Sequence, residues 1–207
     1  MSELGSLSDS IAVLTSYFVG DATLGDTLTR VAELAQRAVP QAEYVGITMR
    51  VDGRVGTFVF NHPTVPEIDR EQYTSGHGPC IHAFTSGEAV VIPSTVASHA
   101  WWPEFCRVAA SHGVMSTLSV PMTTDQGVVG ALNMYAYRPD AFDAADVERA
   151  QIFAHQSGVL MSNAQAYWDA RSLSAAAWSS PPCWPWRPWA CRWSSEPPGS
   201  PTSRTAS

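Results

Sequence analysis

The sequence contains no lysine, little charge and no long apolar run. All 12 basic residues are arginine, and charged residues make up 15% of the 207, against about 25% in ordinary soluble domains. Residues 1–171 carry a net charge of −9, and residues 172–207 carry +2. Because nucleic-acid affinity depends on clustered cations, the acidic body disfavours direct nucleic-acid binding by residues 1–171.

Features of exported, membrane-spanning and disulfide-rich proteins are also missing. The longest apolar run of the body, residues 127–132, is far shorter than the roughly 18 residues that cross a bilayer. The N-terminal segment has no basic region followed by an apolar stretch, as a signal peptide would. The four cysteines, Cys80, Cys106, Cys183 and Cys191, form no dense disulfide framework. We therefore expect a cytoplasmic protein without membrane association.

Hydrophobic periodicity predicts two helices, two strands, an irregular insert, three strands and a long final helix. Strands are expected at 44–51 and 55–60, joined by Asp52-Gly53, which is a strong hairpin signal. Further strands are expected at 89–92, 114–122 and 128–137, and short helices at 67–73, after Pro79 and at 102–111. This order predicts an α+β fold with a largely antiparallel sheet and helices segregated to one face.

The hairpin of residues 114–122 and 128–137 has two chemically different faces. A symmetric turn predicts that Thr117 lies opposite Asn133 and Met115 opposite Tyr135. One face is apolar apart from Ser116: Leu118, Val120, Leu132 and Met134. The other face is mixed: Thr117, Ser119, Asn133 and Tyr135. We expect helices on the apolar face and a polar pocket on the mixed face, although a one-residue register error would exchange the two.

The last helix carries a regular stripe of small and apolar residues. Asp143 is placed to cap it, with Asp146 in the capping-box position. Steps of three and four residues then define an a/d-type seam: Val147, Ala150, Ala154, Ser157, Met161, Ala164 and Trp168. We predict a homodimer through this seam, and the alternative is that the stripe packs on the chain's own sheet.

Two imidazoles and a thiol lie within six residues, at His77, Cys80 and His82. This set could bind a metal, or the histidines could lower the pKa of the thiol. Because the sequence has no second Cys/His cluster to complete a tetrahedral site, we predict no metal site. The favoured interpretation makes Cys80 a small buried residue at a helix start. A thiol-based redox switch with Cys106 stays open as an alternative, as does a dimerisation module that binds no ligand.

The aromatic segment Trp101-Trp102-Pro103-Glu104-Phe105 is the other prominent group. We expect one tryptophan in the core and the other over a pocket. The sequence has no phosphate-binding glycine loop and no Ser–His–Asp signature, so we expect a non-enzymatic protein and can name no cofactor. The predicted small-molecule pocket combines the loop, the aromatic segment and the mixed sheet face: His77, Cys80, His82, Trp101, Phe105, Thr117, Ser119, Asn133 and Tyr135.

Several segments in order resemble one family, namely 40–47 (PQAEYVGI), 76–80 (GHGPC), 102–105 (WPEF), 130–135 (GALNMY) and 139–143 (PDAFD). Together they make residues 8–170 resemble a GAF domain of the actinobacterial GAF–ANTAR regulators, although His77 replaces the family's usual acidic residue. The resemblance implies a GAF-like antiparallel sheet with helices on one face and a pocket of loops and short helices on the other. It also implies a signal-sensing domain, often dimeric, whose C-terminal helix controls an RNA-binding ANTAR module in transcription antitermination.

Some GAF domains are free methionine sulfoxide reductases that use cysteine chemistry. Their cysteine pattern is not matched here, because the strand segments 44–60 and 114–137 contain no cysteine. The resemblance therefore favours a sensor over an enzyme.

Residues 172–207 do not look like part of the same domain. They hold five of the eight tryptophans and seven of the 15 prolines, and such a composition has no period that could build a core. We expect residues 1–171 to form the GAF domain with its signalling helix, and residues 172–207 to be a disordered tail from out-of-frame translation in place of the ANTAR module.

Overall fold

The computed structural model describes residues 3–16, 24–51, 54–97 and 101–176. Its helices and strands follow the predicted order. The helices are α1 (Glu3–Ser16), α2 (Leu24–Ala38), α3 (Val65–Ser75), α4 (Pro79–Ser86), α5 (Pro103–Ser111) and α6 (Ala144–Ala176). The strands are β1 (Tyr44–Val51), β2 (Arg54–Phe60), β3 (Val90–Ile92), β4 (Ser116–Thr124) and β5 (Gly127–Ala136).

These five strands form one antiparallel sheet in the order β2-β1-β5-β4-β3. The predicted α+β class is confirmed. The first hairpin pairs Val51 with Arg54, as the Asp52-Gly53 signal predicted, although those two turn residues lie outside the described residues. Strand β5 lies in the middle of the sheet, between β1 and β4, and its residues 130–136 are buried.

The predicted register of the β4–β5 hairpin was wrong by two residues. Thr117 lies opposite Tyr135, and Ser119 lies opposite Asn133. Thr124 pairs with Gly127, so the turn contributes a shift of one residue, and an irregularity between Met122 and Thr123 contributes the second. Because a two-residue shift keeps each side chain on its own face, the predicted division into an apolar and a mixed face is correct.

Two sets of helices cover the two faces of the sheet. On the apolar face, Leu118, Val120, Leu132 and Met134 are fully buried, beneath α2, which packs on β1 and β2, and α6. The short helices α3, α4 and α5 cover the mixed face, where Val65 of α3 lies against Gly46 of β1. The mixed face, which we call the polar face below, is therefore an interior layer.

Helix α6 begins at the predicted capping box and lies unusually close to the sheet. The Asp146 N–H donates to Asp143 Oδ1 at 2.8 Å, and the Asp143 N–H donates to Asp146 Oδ2 at 3.1 Å. A Cβ on Gly158 would lie 2.8 Å from the Thr123 carbonyl oxygen. Only a glycine lets the helix approach the backbone of β4 this closely.

The predicted dimer seam faces the inside of this chain. Five of its seven residues are fully buried, and these are Ala150, Ala154, Ser157, Met161 and Ala164. Val147 is half-buried, and the side chain of Trp168 lies outside the described residues. The periodicity is therefore explained by packing on the chain's own body, which was the alternative interpretation, and a homodimer through α6 stays a prediction that needs a different face.

The boundary predicted at residue 171 falls inside a helix. Residues 1–169 form one compact unit, and α6 continues to Ala176, because residues 172–176 include leucine and alanine, which favour helix. The rest of the predicted tail, including Cys183 and Cys191, lies outside the described residues. Within the part of the chain that is described, no helix has the length and hydropathy to span a membrane.

Candidate functional site

A buried carboxylate anchors the polar face to α3. Asp69 is fully buried; its Oδ2 accepts a 2.6 Å hydrogen bond from Thr57 Oγ1. Its Oδ1 accepts hydrogen bonds from the Tyr135 hydroxyl and, at 3.1 Å, from Gln72 Nε2. Three elements, β2, β5 and α3 itself, thus supply neutral donors to one carboxylate.

Burial raises the pKa of Asp69 from 3.8 to about 6, and the hydrogen bonds from Thr57, Tyr135 and Gln72 oppose that rise. Among the described residues, no cationic side chain pairs with this carboxylate. A buried charge without an opposite charge is costly. Asp69 is therefore able to change its charge near neutral pH.

A chain of hydrogen bonds continues from Asp69 across the sheet to β5. The Tyr73 hydroxyl lies 2.6 Å from Thr57 Oγ1 and 2.7 Å from Thr48 Oγ1. Thr48 Oγ1 accepts from Cys80 Sγ at 3.1 Å and from Asn133 Nδ2 at 3.0 Å. The polar face thus carries one connected network, which joins α3, α4 and three strands.

The start of α4 is fixed by the same network. The Cys80 N–H donates to Gln72 Oε1 at 2.8 Å, so one glutamine side chain connects Asp69 to the helix N-terminus. A Cβ on Gly78, whose φ is +159°, would lie 2.3 Å from Gln72 Oε1. Gly78, the second glycine of the GHGPC segment, is therefore required for this contact.

Cys80 occupies the predicted place at a helix start and is a weak acid there. Burial, and then the nearby charge of Asp69, raise the pKa of Cys80 to about 12. Because the thiolate is the reactive form of cysteine, this position suits a hydrogen-bonding thiol better than a redox-active one. Cys106 is also a buried cysteine, but it packs in a different apolar cluster, with Phe105 and Ala109.

Two buried oxygens on the polar face have no hydrogen-bond partner. They are Thr117 Oγ1 and Asn133 Oδ1, and both residues are at most 1% exposed. An unpaired buried polar atom costs about 1–3 kcal/mol, and native structures hold few of them. Both atoms belong to paired strands of one hairpin and lie on the polar face.

The structure brings together six of the nine predicted pocket residues. Cys80, Asn133 and Tyr135 belong to the network, and Thr117, Ser119 and Phe105 are buried in the same layer. The other three lie at the surface: His77, His82 and Trp101, the last 80% exposed. Trp102 is the tryptophan that packs on the core, and its ring centroid lies 5.7 Å from that of His82.

The helical part of this network was not predicted from the sequence. Asp69, Gln72 and Tyr73 follow the i, i+3, i+4 spacing of one helix face, which was a usable signal. Thr48 lies on β1 and Thr57 on β2. The alternation of polar and apolar residues along these strands does not show that the two threonines belong to a network. Within the described residues, no three His, Cys, Asp or Glu side chains cluster as a metal site requires.

An open cavity of about 720 Å³ lies elsewhere, between the end of α4, the sheet and α6. Its lining is uncharged and combines six apolar with three polar residues: Met49, Phe84, Val128, Val129, Met161 and Ala166, and Thr85, Ser162 and Gln165. None of the network residues lines it. The unpartnered oxygens, rather than this opening, are what distinguish the polar face as the candidate site.

The five-stranded sheet and its two helical layers match a known family in sequence as well as in shape. Residues 21–162, more than half of the chain, match the GAF domain family. The chain belongs to the GAF domain family. No curated protein sequence matches it.

Solved structures show the same GAF fold at low sequence identity. A domain of a putative two-component sensor histidine kinase from Sinorhizobium meliloti is 16% identical, with a TM-score of 0.58, over 73% of this chain and 99% of that one. The GAF domain of an Acinetobacter phosphoenolpyruvate-protein phosphotransferase is 16% identical, with a TM-score of 0.57, over 80% of this chain and 97% of that one. Free methionine-R-sulfoxide reductase from Neisseria meningitidis, solved with its substrate, is 19% identical, with a TM-score of 0.60, over 80% and 91%.

Proposed function

We propose that this GAF domain is a sensory module that binds a small molecule between the polar face of the sheet and helices α3–α5. The observation that carries the proposal is the pair of unpartnered oxygens, Thr117 Oγ1 and Asn133 Oδ1. They belong to neighbouring strands of one hairpin and face the same layer. A ligand that hydrogen bonds to both would remove the cost of leaving them unpaired.

The same hairpin offers a route from the site to α6. Thr117 and Asn133 lie on one face of β4 and β5, and the backbone of β4 meets α6 at Gly158 on the other side. Packed interiors transmit displacement because they have little free space. We propose that occupancy of the polar face moves the hairpin, and that the hairpin moves α6.

The role is proposed as sensory rather than catalytic. The structural relatives include a methionine sulfoxide reductase as well as a sensor-kinase domain, so the fold does not decide between these classes. The raised pKa of Cys80 supports the sensory role, because a thiol near pKa 12 supplies almost no thiolate at neutral pH.

A more specific output, regulation of transcription antitermination through an ANTAR module, rests on the order of the sequence motifs alone. Translating the other reading frames of the gene downstream of codon 171 tests it. An ANTAR-like sequence in another frame would support this output, and its absence from all frames would count against it.

Native mass spectrometry of the full chain tests ligand binding directly. We expect the purified protein to carry a non-covalent mass that the Asn133→Leu variant lacks. The Asn163→Leu variant is the matched control, because Asn163 is exposed on α6, and it should retain the mass. An unliganded wild-type spectrum, from cells and after incubation with a cell extract, would refute the proposal.

A further inference from the structure

We infer that the ligand of this site is a small nitrogen base, a cation with N–H donors such as an amine, an amidine or a protonated heterocycle. The inference rests on the proposed function and specifies the chemical class of the ligand. It follows from the hydrogen-bonding groups and charges that the polar face presents.

The polar face has more acceptor positions than donors to fill them. An ionised carboxylate offers about four lone-pair positions, and Asp69 uses three, for Thr57, Gln72 and Tyr135. Asn133 Oδ1 can only accept, and the unpartnered hydroxyl of Thr117 can accept or donate. The amide nitrogen of Asn133 is already occupied by Thr48 and Cys80. A partner that fits these unused positions must bring hydrogen-bond donors.

The three acceptors belong to one neighbourhood. The Tyr135 hydroxyl donates to Asp69, and Tyr135 pairs across the hairpin with Thr117. Asn133 lies two residues before Tyr135 on the same face of β5. Directly paired and diagonal neighbours in a sheet lie within about 5–8 Å of each other. Thr117 and Asn133 are thus sheet neighbours of Tyr135, and Asp69 lies at the hydroxyl end of the Tyr135 ring; the inferred ligand has to span that distance.

The charge of the site selects a cation and rejects an anion. Asp69 is buried with neutral partners only, and it is the ionisable carboxylate of the network. A bound cation would supply the missing opposite charge, whereas a carboxylate or phosphate ligand would add like charge in an environment that screens it poorly. The net charge of −9 on residues 1–171 also favours the approach of cations.

Three probes of one shape test the inference: benzamidine, a cation with N–H donors; benzamide, its neutral counterpart; and benzoate, the anion. We expect titration calorimetry of the full chain at about pH 8, where Asp69 is ionised, to show binding of benzamidine, with benzamide about ten-fold weaker and benzoate absent. Asp69→Asn should weaken benzamidine about ten-fold or more and leave benzamide nearly unchanged. The exposed Asp125→Asn is the matched control.

A second measurement on the wild-type chain avoids dependence on a folded variant. Because a cation favours the ionised form of Asp69, benzamidine should release protons on binding near pH 6, which calorimetry in two buffers of different ionisation enthalpy detects. Benzoate binding as tightly as benzamidine would overturn this inference and leave the proposed ligand site standing. If no probe binds, or if binding releases no proton, the inference also fails, while native mass spectrometry decides the proposed function independently.

Discussion

The two faces of the β4–β5 hairpin use alternate residues of the same strands for different purposes. Leu118, Val120, Leu132 and Met134 point to α2 and α6 and leave no polar atom to satisfy. Thr117, Asn133 and Tyr135 point to α3–α5, where one network is incompletely paired. The hydrophobic core and the proposed ligand site are thus separated by one residue of alternation. Each of the following variants tests one side of that separation.

The largest effect is expected on the apolar face. Leu132→Ala should lower the free energy of unfolding by about 2–5 kcal/mol, because it leaves a cavity at a fully buried site. Urea unfolding followed by circular dichroism measures the change. Ile152→Ala, at an exposed position of α6, is the control and should stay within about 0.5 kcal/mol. An equally small loss at Leu132 would show that this face is not the structural core.

The second effect is the pH dependence of the polar face. The folded chain holds the Asp69 proton up to about pH 6, whereas the unfolded chain releases it near 3.8. The contribution of Asp69 to stability is therefore greatest below about pH 4 and falls by roughly 3 kcal/mol as the pH rises through 6. Asp69→Asn should remove this slope from an unfolding series across that range, and Asp125→Asn should keep it. An unchanged slope in Asp69→Asn would assign the pH dependence to other groups.

A smaller loss is expected where a hydroxyl in the network is removed. Thr57→Val preserves the shape of the side chain but deletes its bonds to Asp69 and Tyr73. Leaving these buried groups underpaired should cost about 1–3 kcal/mol, measured by urea unfolding at a pH where Asp69 is ionised. A cost near zero would mean that Asp69 and Tyr73 find other partners.

The smallest effect separates a site for a ligand from a part of the scaffold. Thr117→Val should cost the unliganded chain no stability and should stabilise it slightly, because it removes a buried hydroxyl that has no partner. Thr95→Val is the matched control at a fully buried threonine whose hydroxyl donates to the Val114 carbonyl at 2.8 Å, and it should cost about 1 kcal/mol. Equal losses in the two variants would place a hidden partner on Thr117.

Alternation along single strands was sufficient to predict the two faces, since side-chain direction is a local property of a strand. The register was not predictable in the same way, because it depends on the exact position of the turn and on an irregularity between Met122 and Thr123. The periodicity of α6 showed which face of the helix is apolar, but it did not show which element covers that face. Met161 and Ala154 were therefore predicted to contact a second copy of the chain, whereas both are buried within this one. The sequence does not identify Asp69 as a network residue, because its partners Thr57 and Tyr135 come from β2 and β5, which only the folded chain brings together.

The hydrogen-bond chain on the polar face has one further property. An ionised Asp69 can only accept, so Thr57 must donate to it, and each hydroxyl behind Thr57 must point the same way, as far as the Asn133 amide nitrogen. Once Asp69 takes up a proton it can donate, and the whole row can turn around only if the Asn133 amide rotates to present its oxygen to Cys80. Protonation of Asp69 therefore permits a second arrangement of the row, in which the amide nitrogen of Asn133, instead of its oxygen, is the unpaired atom.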